Sequence, residues 1–203
     1  MSEDWRPVAA RAASLLLRYP DPETLAAVPL VEAALPALPA AVADPLRELA
    51  RYRAGGDPIT LAGEYVEWFD FRRRSALHLT YYTCGDTRGR GAALVAFAAA
   101  YRAAGRAVAD GELPDFLPAV LDLAAVDARG WRLLRAHRVG LDLLARALAD
   151  VPYAHGVAAV RAMLPPAGAA DVAAAVRLAR TGPPAERVGL GDAGLVDSTG
   201  TRR

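Results

Sequence analysis

Apolar positions recur along this chain at the three-to-four-residue spacing of a helix face, from near its start to about residue 180. Val8, Ala12, Leu15, Leu16 and Tyr19 outline a first helix, with Pro7 suited to its first turn. Tyr19-Pro20-Asp21-Pro22-Glu23 stops it, and Asp21 is placed to cap a second helix with Pro22 at its first position. Pro29 and Pro36 interrupt that second segment. Val42, Leu46, Leu49 and Arg53 mark a third helix closed by Gly55-Gly56, and Asp57-Pro58 opens a fourth whose Leu61, Tyr65, Trp68 and Phe69 share a face. Residues 77–83, Leu-His-Leu-Thr-Tyr-Tyr-Thr, alternate as a strand does. With no second strand in sight to satisfy that backbone, a helix is expected there. After Gly85-Asp86-Thr87, where Asp86 or Thr87 can cap, comes a helix with Leu94, Phe97, Ala98 and Tyr101, closed by Gly105. Pro114-Asp115 precede a stripe of Leu117, Val120, Leu121 and Ala124. One longer helix is expected through Leu134, Leu141, Leu144 and Leu148, then two short ones near 154–163 and 169–180. From Thr181 onward the chain is Gly-, Pro- and Asp-rich and loses its periodicity. The expectation is an all-α fold, a compact single-domain helical bundle over 1–180 with a flexible, disordered tail over 181–203.

Composition sharpens this picture. Of 203 residues, 54% are hydrophobic, but much of that is Ala, which favours helices that approach one another closely. Large side chains are scarce, so their placement is informative. Eight of the 14 aromatic residues fall between positions 65 and 101: Tyr65, Trp68, Phe69, Phe71, Tyr81, Tyr82, Phe97 and Tyr101. Such clustering marks either the centre of a core or an apolar groove for a partner.

Charge and rare residues exclude several classes of function. The net charge is +1, with 24 basic and 23 acidic residues, which argues against nucleic-acid binding. Every basic residue is Arg, so lysine-dependent phosphate loops, Schiff bases and lysine general bases are ruled out. One cysteine, Cys84, allows no intrachain disulfide and suits a reducing cytoplasm. The start, Met1-Ser2-Glu3-Asp4-Trp5, lacks the pattern of a secretory leader, and no apolar run is long enough to span a bilayer. A cytoplasmic chain without direct membrane insertion is expected.

Chemistry-bearing residues do not assemble into a catalytic pattern. His78, His137, His155 and Cys84 show no metal-ligand spacing, so no metal, no cofactor and no enzymatic activity are expected. Gly85-Asp86-Thr87-Arg88-Gly89-Arg90-Gly91 is glycine-rich at a helix start and could hold an anion, but an ordinary capped turn is the default. Arg72-Arg73-Arg74, after Glu64, Glu67 and Asp70, reads as a solvated face or as the charged rim of the aromatic groove.

Three blocks carry a family resemblance. They are Tyr65-Val66-Glu67-Trp68-Phe69-Asp70-Phe71-Arg72-Arg73-Arg74, Leu77-His78-Leu79-Thr80-Tyr81-Tyr82, and Gly85-Asp86-Thr87-Arg88-Gly89-Arg90-Gly91. Together they resemble the nitrate reductase delta subunit, the NarJ-type molybdenum cofactor assembly chaperone, related to the TorD and DmsD chaperones. Glu112-Leu113-Pro114-Asp115-Phe116-Leu117-Pro118 resembles a further family element, with Phe116 where His is usual, and Gly89 replaces a usually longer side chain. The resemblance covers about residues 8–127. It implies an all-helical chaperone, absent from the finished enzyme, that binds the N-terminal segment of the nitrate reductase alpha (catalytic) subunit and keeps it competent for cofactor insertion and membrane assembly. It also implies contact with molybdenum cofactor delivery proteins.

The client segment resembles a remnant twin-arginine leader, basic and then apolar. On that basis Tyr65, Phe69, Tyr81, Tyr82 and Leu117 are expected to line an apolar channel with Asp70, Asp86 and Asp115 near its mouth, and Leu113, Pro114 and Leu121 are expected to bind the client with them. Competing readings are a chaperone for a dimethyl sulfoxide or trimethylamine N-oxide reductase, a helical phosphohydrolase using the glycine-rich turn, and a helical DNA-binding regulator.

Overall fold

The computed structural model describes residues 4–71, 75–85, 87–109 and 111–184. Arg72–Arg74, Asp86 and residues 185–203 of the expected tail lie outside the described residues.

Helix α1, Arg6–Leu17, forms where Pro7 sits in the first turn, and it buries residues on several sides: Ala9, Ala10, Ala12, Ala13, Ser14, Leu16 and Leu17. Small Ala side chains let neighbours close in all round. The neighbours are α3 (Val28–Ala34), α4 (Ala40–Gly55), α8 (Leu117–Ala124) and α11 (Ala154–Ala162). At Gly156 of α11, an added Cβ would fall 2.7 Å from the Leu17 side chain and 2.8 Å from that of Leu49, so a larger residue at this three-helix junction would push both leucines aside. Ser14 donates its hydroxyl proton to the Pro118 carbonyl at 2.9 Å, fastening α1 to the start of α8.

The expected caps form at two proline-led starts. Asp21 accepts from the Thr24 amide at 2.7 Å ahead of α2, Pro22–Ala26. Asp57 accepts from the Thr60 amide at 3.0 Å ahead of α5, Pro58–Val66. Past α5 the chain widens into a π-helical turn, Glu67–Phe71, which continues the face carrying Tyr65 and Phe69.

Three expectations are corrected. Residues 77–80 are not helical: His78 forms an antiparallel bridge with Phe116, and only Tyr81–Cys84 (α6) coils. The pairing partner is the Pro-Asp loop, which carries no strand pattern of its own. The long helix through Leu134 to Leu148 is two, α9 (Ala128–Ala136) and α10 (Arg138–Ala147), with His137 at the break. Thr87 stands at the N-cap of α7, Arg88–Ala103, yet makes no cap bond to it. Its hydroxyl donates back to the Cys84 carbonyl at 2.7 Å. The expected short helices appear as α11 and as α12, Ala169–Thr181, which packs on α10.

Candidate functional site

Two of the sequence blocks are stitched together by hydrogen bonds. The Leu79 amide donates to the Asp115 carbonyl at 3.0 Å, and the Leu117 amide donates to the Leu77 carbonyl at 2.7 Å. The Asp115 side chain, fully buried, completes the joint. Its Oδ2 accepts from the Thr80 hydroxyl at 2.5 Å and from the Thr80 amide at 3.1 Å, while Oδ1 lies 3.1 Å from His78 Nδ1. Burial alone would raise this carboxyl. The hydrogen bonds from His78 and Thr80 and the proximity of His78 outweigh it, holding Asp115 below the ordinary carboxylate range. Arg90 Nε reaches the Thr80 hydroxyl at 3.3 Å, so the glycine-rich turn is tied to the same joint.

Helix α10 backs the joint. Its Gly140 would, with a Cβ, meet the Leu79 carbonyl oxygen at 2.8 Å. On α7, Phe97 packs against His137 at a ring separation of 4.8 Å, and burial pushes the His137 imidazole pKa down.

In front of the joint lies a cleft of about 340 Å³, lined by Arg18, Tyr19, Asp21, Tyr65, Phe69, Asp70, Leu77, His78, Glu112 and Phe116. Among the described residues, Asp21, Asp70 and Glu112 supply three carboxylates against one guanidinium, Arg18, which is held at 2.9 Å by Glu112 and at 2.8 Å by Asp122. Tyr19 stands edge-on to Tyr65 at 5.5 Å, and Tyr65 packs on Phe69 at 4.6 Å. The cleft therefore offers aromatic surface beside an acidic excess, a fit for a segment that is basic at one end and apolar beyond.

Of the expected groove residues, Tyr65, Phe69 and Asp70 line this cleft. Asp115 is a correction: it is buried beneath the cleft and not at a mouth. Tyr82, Leu117 and Leu121 are core residues and line no channel, and Tyr82 donates its hydroxyl proton to the Ala76 carbonyl at 3.0 Å. Tyr81 and Pro114 are half-buried and Leu113 is 40% exposed, and none of the three borders the cleft. Asp86 lies outside the described residues.

Sequence reasoning missed Arg18, Tyr19, Asp21, Leu77, His78, Glu112 and Phe116. It also missed Tyr153, fully buried at the hub of the aromatic cluster, 5.5 Å from Tyr65 and 5.1 Å from Phe69. The signal for Glu112 and Phe116 was their place beside Pro114-Asp115; for Tyr153, some fifty residues beyond the cluster in sequence, there was none. Among the described residues no group of three or more His, Cys, Asp or Glu is arranged to hold a metal ion. Among them, too, no helix is long and apolar enough to cross a membrane.

Comparison with known families settles what kind of chain builds this joint. The family model described as nitrate reductase delta subunit matches residues 35–152, more than half of the sequence and including every residue of the Leu77–Thr80 and Asp115 joint. The chain belongs to the nitrate reductase delta subunit family. It is 45% identical over 163 residues to the nitrate reductase-like protein NarX of Mycobacterium tuberculosis, covering 78% of this chain and 24% of that protein. It is 32% identical over 121 residues to the probable nitrate reductase molybdenum cofactor assembly chaperone NarJ of Bacillus subtilis, covering 59% of this chain and 66% of that one. A shorter match, 38% over 69 residues, joins it to the NarJ chaperone of Escherichia coli, covering 34% of this chain and 29% of that one. The chain thus spans about a quarter of the length of NarX. Within this delta-subunit fold, the joint of Thr80, His78 and Asp115 fixes the floor of the acidic cleft.

Proposed function

We propose that this chain is an assembly chaperone for a respiratory nitrate reductase. It binds the N-terminal segment of the catalytic alpha subunit in the cytoplasm and keeps that subunit competent for molybdenum cofactor insertion and membrane assembly. Molybdenum cofactor delivery proteins are the partners it works beside. The role requires binding and release, not bond chemistry. The observation that carries the reading is the aromatic, acidic cleft between Tyr65 and Phe116. Asp21, Asp70 and Glu112 face the basic end of the client, and Tyr19, Tyr65, Phe69 and Phe116 take its apolar part. Relatives named as nitrate reductase chaperones favour this client over a dimethyl sulfoxide or trimethylamine N-oxide reductase.

Calorimetry with a synthetic peptide of the alpha subunit's N-terminal segment tests the reading. One-to-one binding is expected, with a negative heat-capacity change from buried apolar area. Tyr19, 44% exposed, can be truncated without disturbing the core, so Tyr19→Ala should weaken binding while the melting temperature holds. No binding to the wild-type chain would refute the chaperone reading. Unchanged binding by both Tyr19→Ala and Asp70→Asn would refute the placement in this cleft.

A further inference from the structure

A second and larger concavity, about 780 Å³, lies on another side of α1 and shares only Arg18 and Glu112 with the acidic cleft. Its walls are α1, α3, α8 and the segment after α7, and they are mostly apolar, including Leu15, Val31, Val108 and Leu123, with charged side chains along the border. The apolar surface continues onto the rim, where Leu30 is 71%, Val126 59% and Val8 44% exposed. In an Ala-rich protein with few large side chains, three exposed ones around a single groove form a contiguous patch of the kind that contacts another protein. A small ligand enclosed in the groove would leave that rim unused.

The polar groups at the groove have a definite sign. Two carboxylates border it, and both are engaged: Asp122 by Arg11 and by Arg18, and Glu112 by Arg18. Arg106, exposed on the same border, has no ion-pair partner among the described residues. Tyr101, 5% exposed in the groove lining, carries a buried hydroxyl with no hydrogen-bond partner among the described residues. Leaving a buried hydroxyl unsatisfied is unfavourable. Among the described residues the local surplus is therefore a cation and a hydroxyl proton, and both can take an acceptor.

We infer that this groove docks an apolar peptide segment of a protein partner that carries acidic side chains. The apolar residues fill the space between α1, α3 and α8. A carboxylate reaches Arg106, and an acceptor at the floor satisfies Tyr101. The sign is opposite to that of the basic client segment assigned to the acidic cleft, so the two concavities discriminate between ligands by charge.

The test is selection from a displayed library of random linear peptides against the wild-type chain. Peptides retained by wild type and lost by Leu30→Arg are then measured by calorimetry. Both Leu30 and Arg106 are exposed, so Leu30→Arg and Arg106→Glu should leave the melting temperature unchanged. The selected peptides should be apolar with an excess of Asp and Glu. Leu30→Arg should weaken them at least tenfold, Arg106→Glu severalfold, and neither change should alter affinity for the alpha-subunit peptide. Three results overturn the inference: no peptide whose retention depends on Leu30; selected peptides that are basic and compete with the alpha-subunit peptide; or a concentration-dependent dimer abolished by Leu30→Arg, which would make the groove a self-interface.

Discussion

At the residue scale, the most consequential side chains are buried polar ones. Arg53, 2% exposed, donates to the Leu16 carbonyl at 2.9 Å, the Arg18 carbonyl at 2.7 Å and the Thr24 hydroxyl at 3.0 Å. It thereby satisfies carbonyls at the end of α1 that have no helical partner. Burial lowers the pKa of its guanidinium, so the charge is held against a desolvation cost. Arg53→Met recovers that cost but strands three acceptors, and the stranded acceptors win. A loss of about 2 kcal/mol is expected in denaturant unfolding. Asp115 sets a pH dependence. Its folded pKa lies below the unfolded value of about 3.9, so its contribution is complete above that pH and is lost as pH falls through the folded pKa. Asp115→Asn should therefore flatten the acid limb of the stability profile below about pH 4. The slope that remains belongs to carboxyls such as Asp57 and Asp127, which are lowered chiefly by the backbone amides that they cap.

At the scale of elements, the structure depends on places where one segment completes another. Tyr65 of α5 donates to the Leu17 carbonyl at 3.1 Å and packs on Phe69 and Tyr153. Tyr65→Phe removes only the hydrogen bond, for about 1 kcal/mol, whereas Tyr65→Ala opens a cavity, for about 3–5 kcal/mol. A thermal melt of the two variants separates cap from core. Gly140 marks the contact of α10 with the 77–80 segment. Gly140→Ala places a methyl 2.8 Å from the Leu79 carbonyl oxygen and should cost about 1–3 kcal/mol, read from the denaturation midpoint. Because the displaced segment carries His78, the same variant should weaken client binding more than its stability loss explains.

On the scale of the whole molecule, α1 is the axis on which both concavities are built. The acidic cleft lies at its C-terminal end, where Arg18 and Tyr19 emerge. The apolar groove follows its Pro7 to Leu15 flank. Arg18 is common to both, held between Glu112 and Asp122. Client binding in the cleft should weaken with added salt, because exposed carboxylates such as Asp70 contribute through a screened field. Asp70→Asn should cost about 0.5–1 kcal/mol of binding at low salt and less at high salt, with a shallower salt slope in calorimetric titrations.

How far the chain could be read from its sequence depended on the range of the forces involved. The Asp21-Pro22 and Asp57-Pro58 starts and the Tyr65–Phe69 face are local properties, written in side chains a few positions apart, and each appears where expected. The family blocks were equally legible as contiguous strings of residues. What two distant segments do together was not legible. The 77–80 segment looked unable to satisfy its own backbone, and it is the Asp115–Leu117 stretch, almost forty residues on, that supplies the missing partners. Asp115 looked like a surface carboxylate, and only the arrival of Thr80 and His78 makes its burial tolerable. Helical spacing placed Leu117 on an apolar stripe, and Tyr82 belonged to the aromatic cluster, but neither pattern said whether those side chains meet solvent, a client or other helices. Packing decided it in favour of the core, because a side chain's surroundings are set by whichever helices close over it.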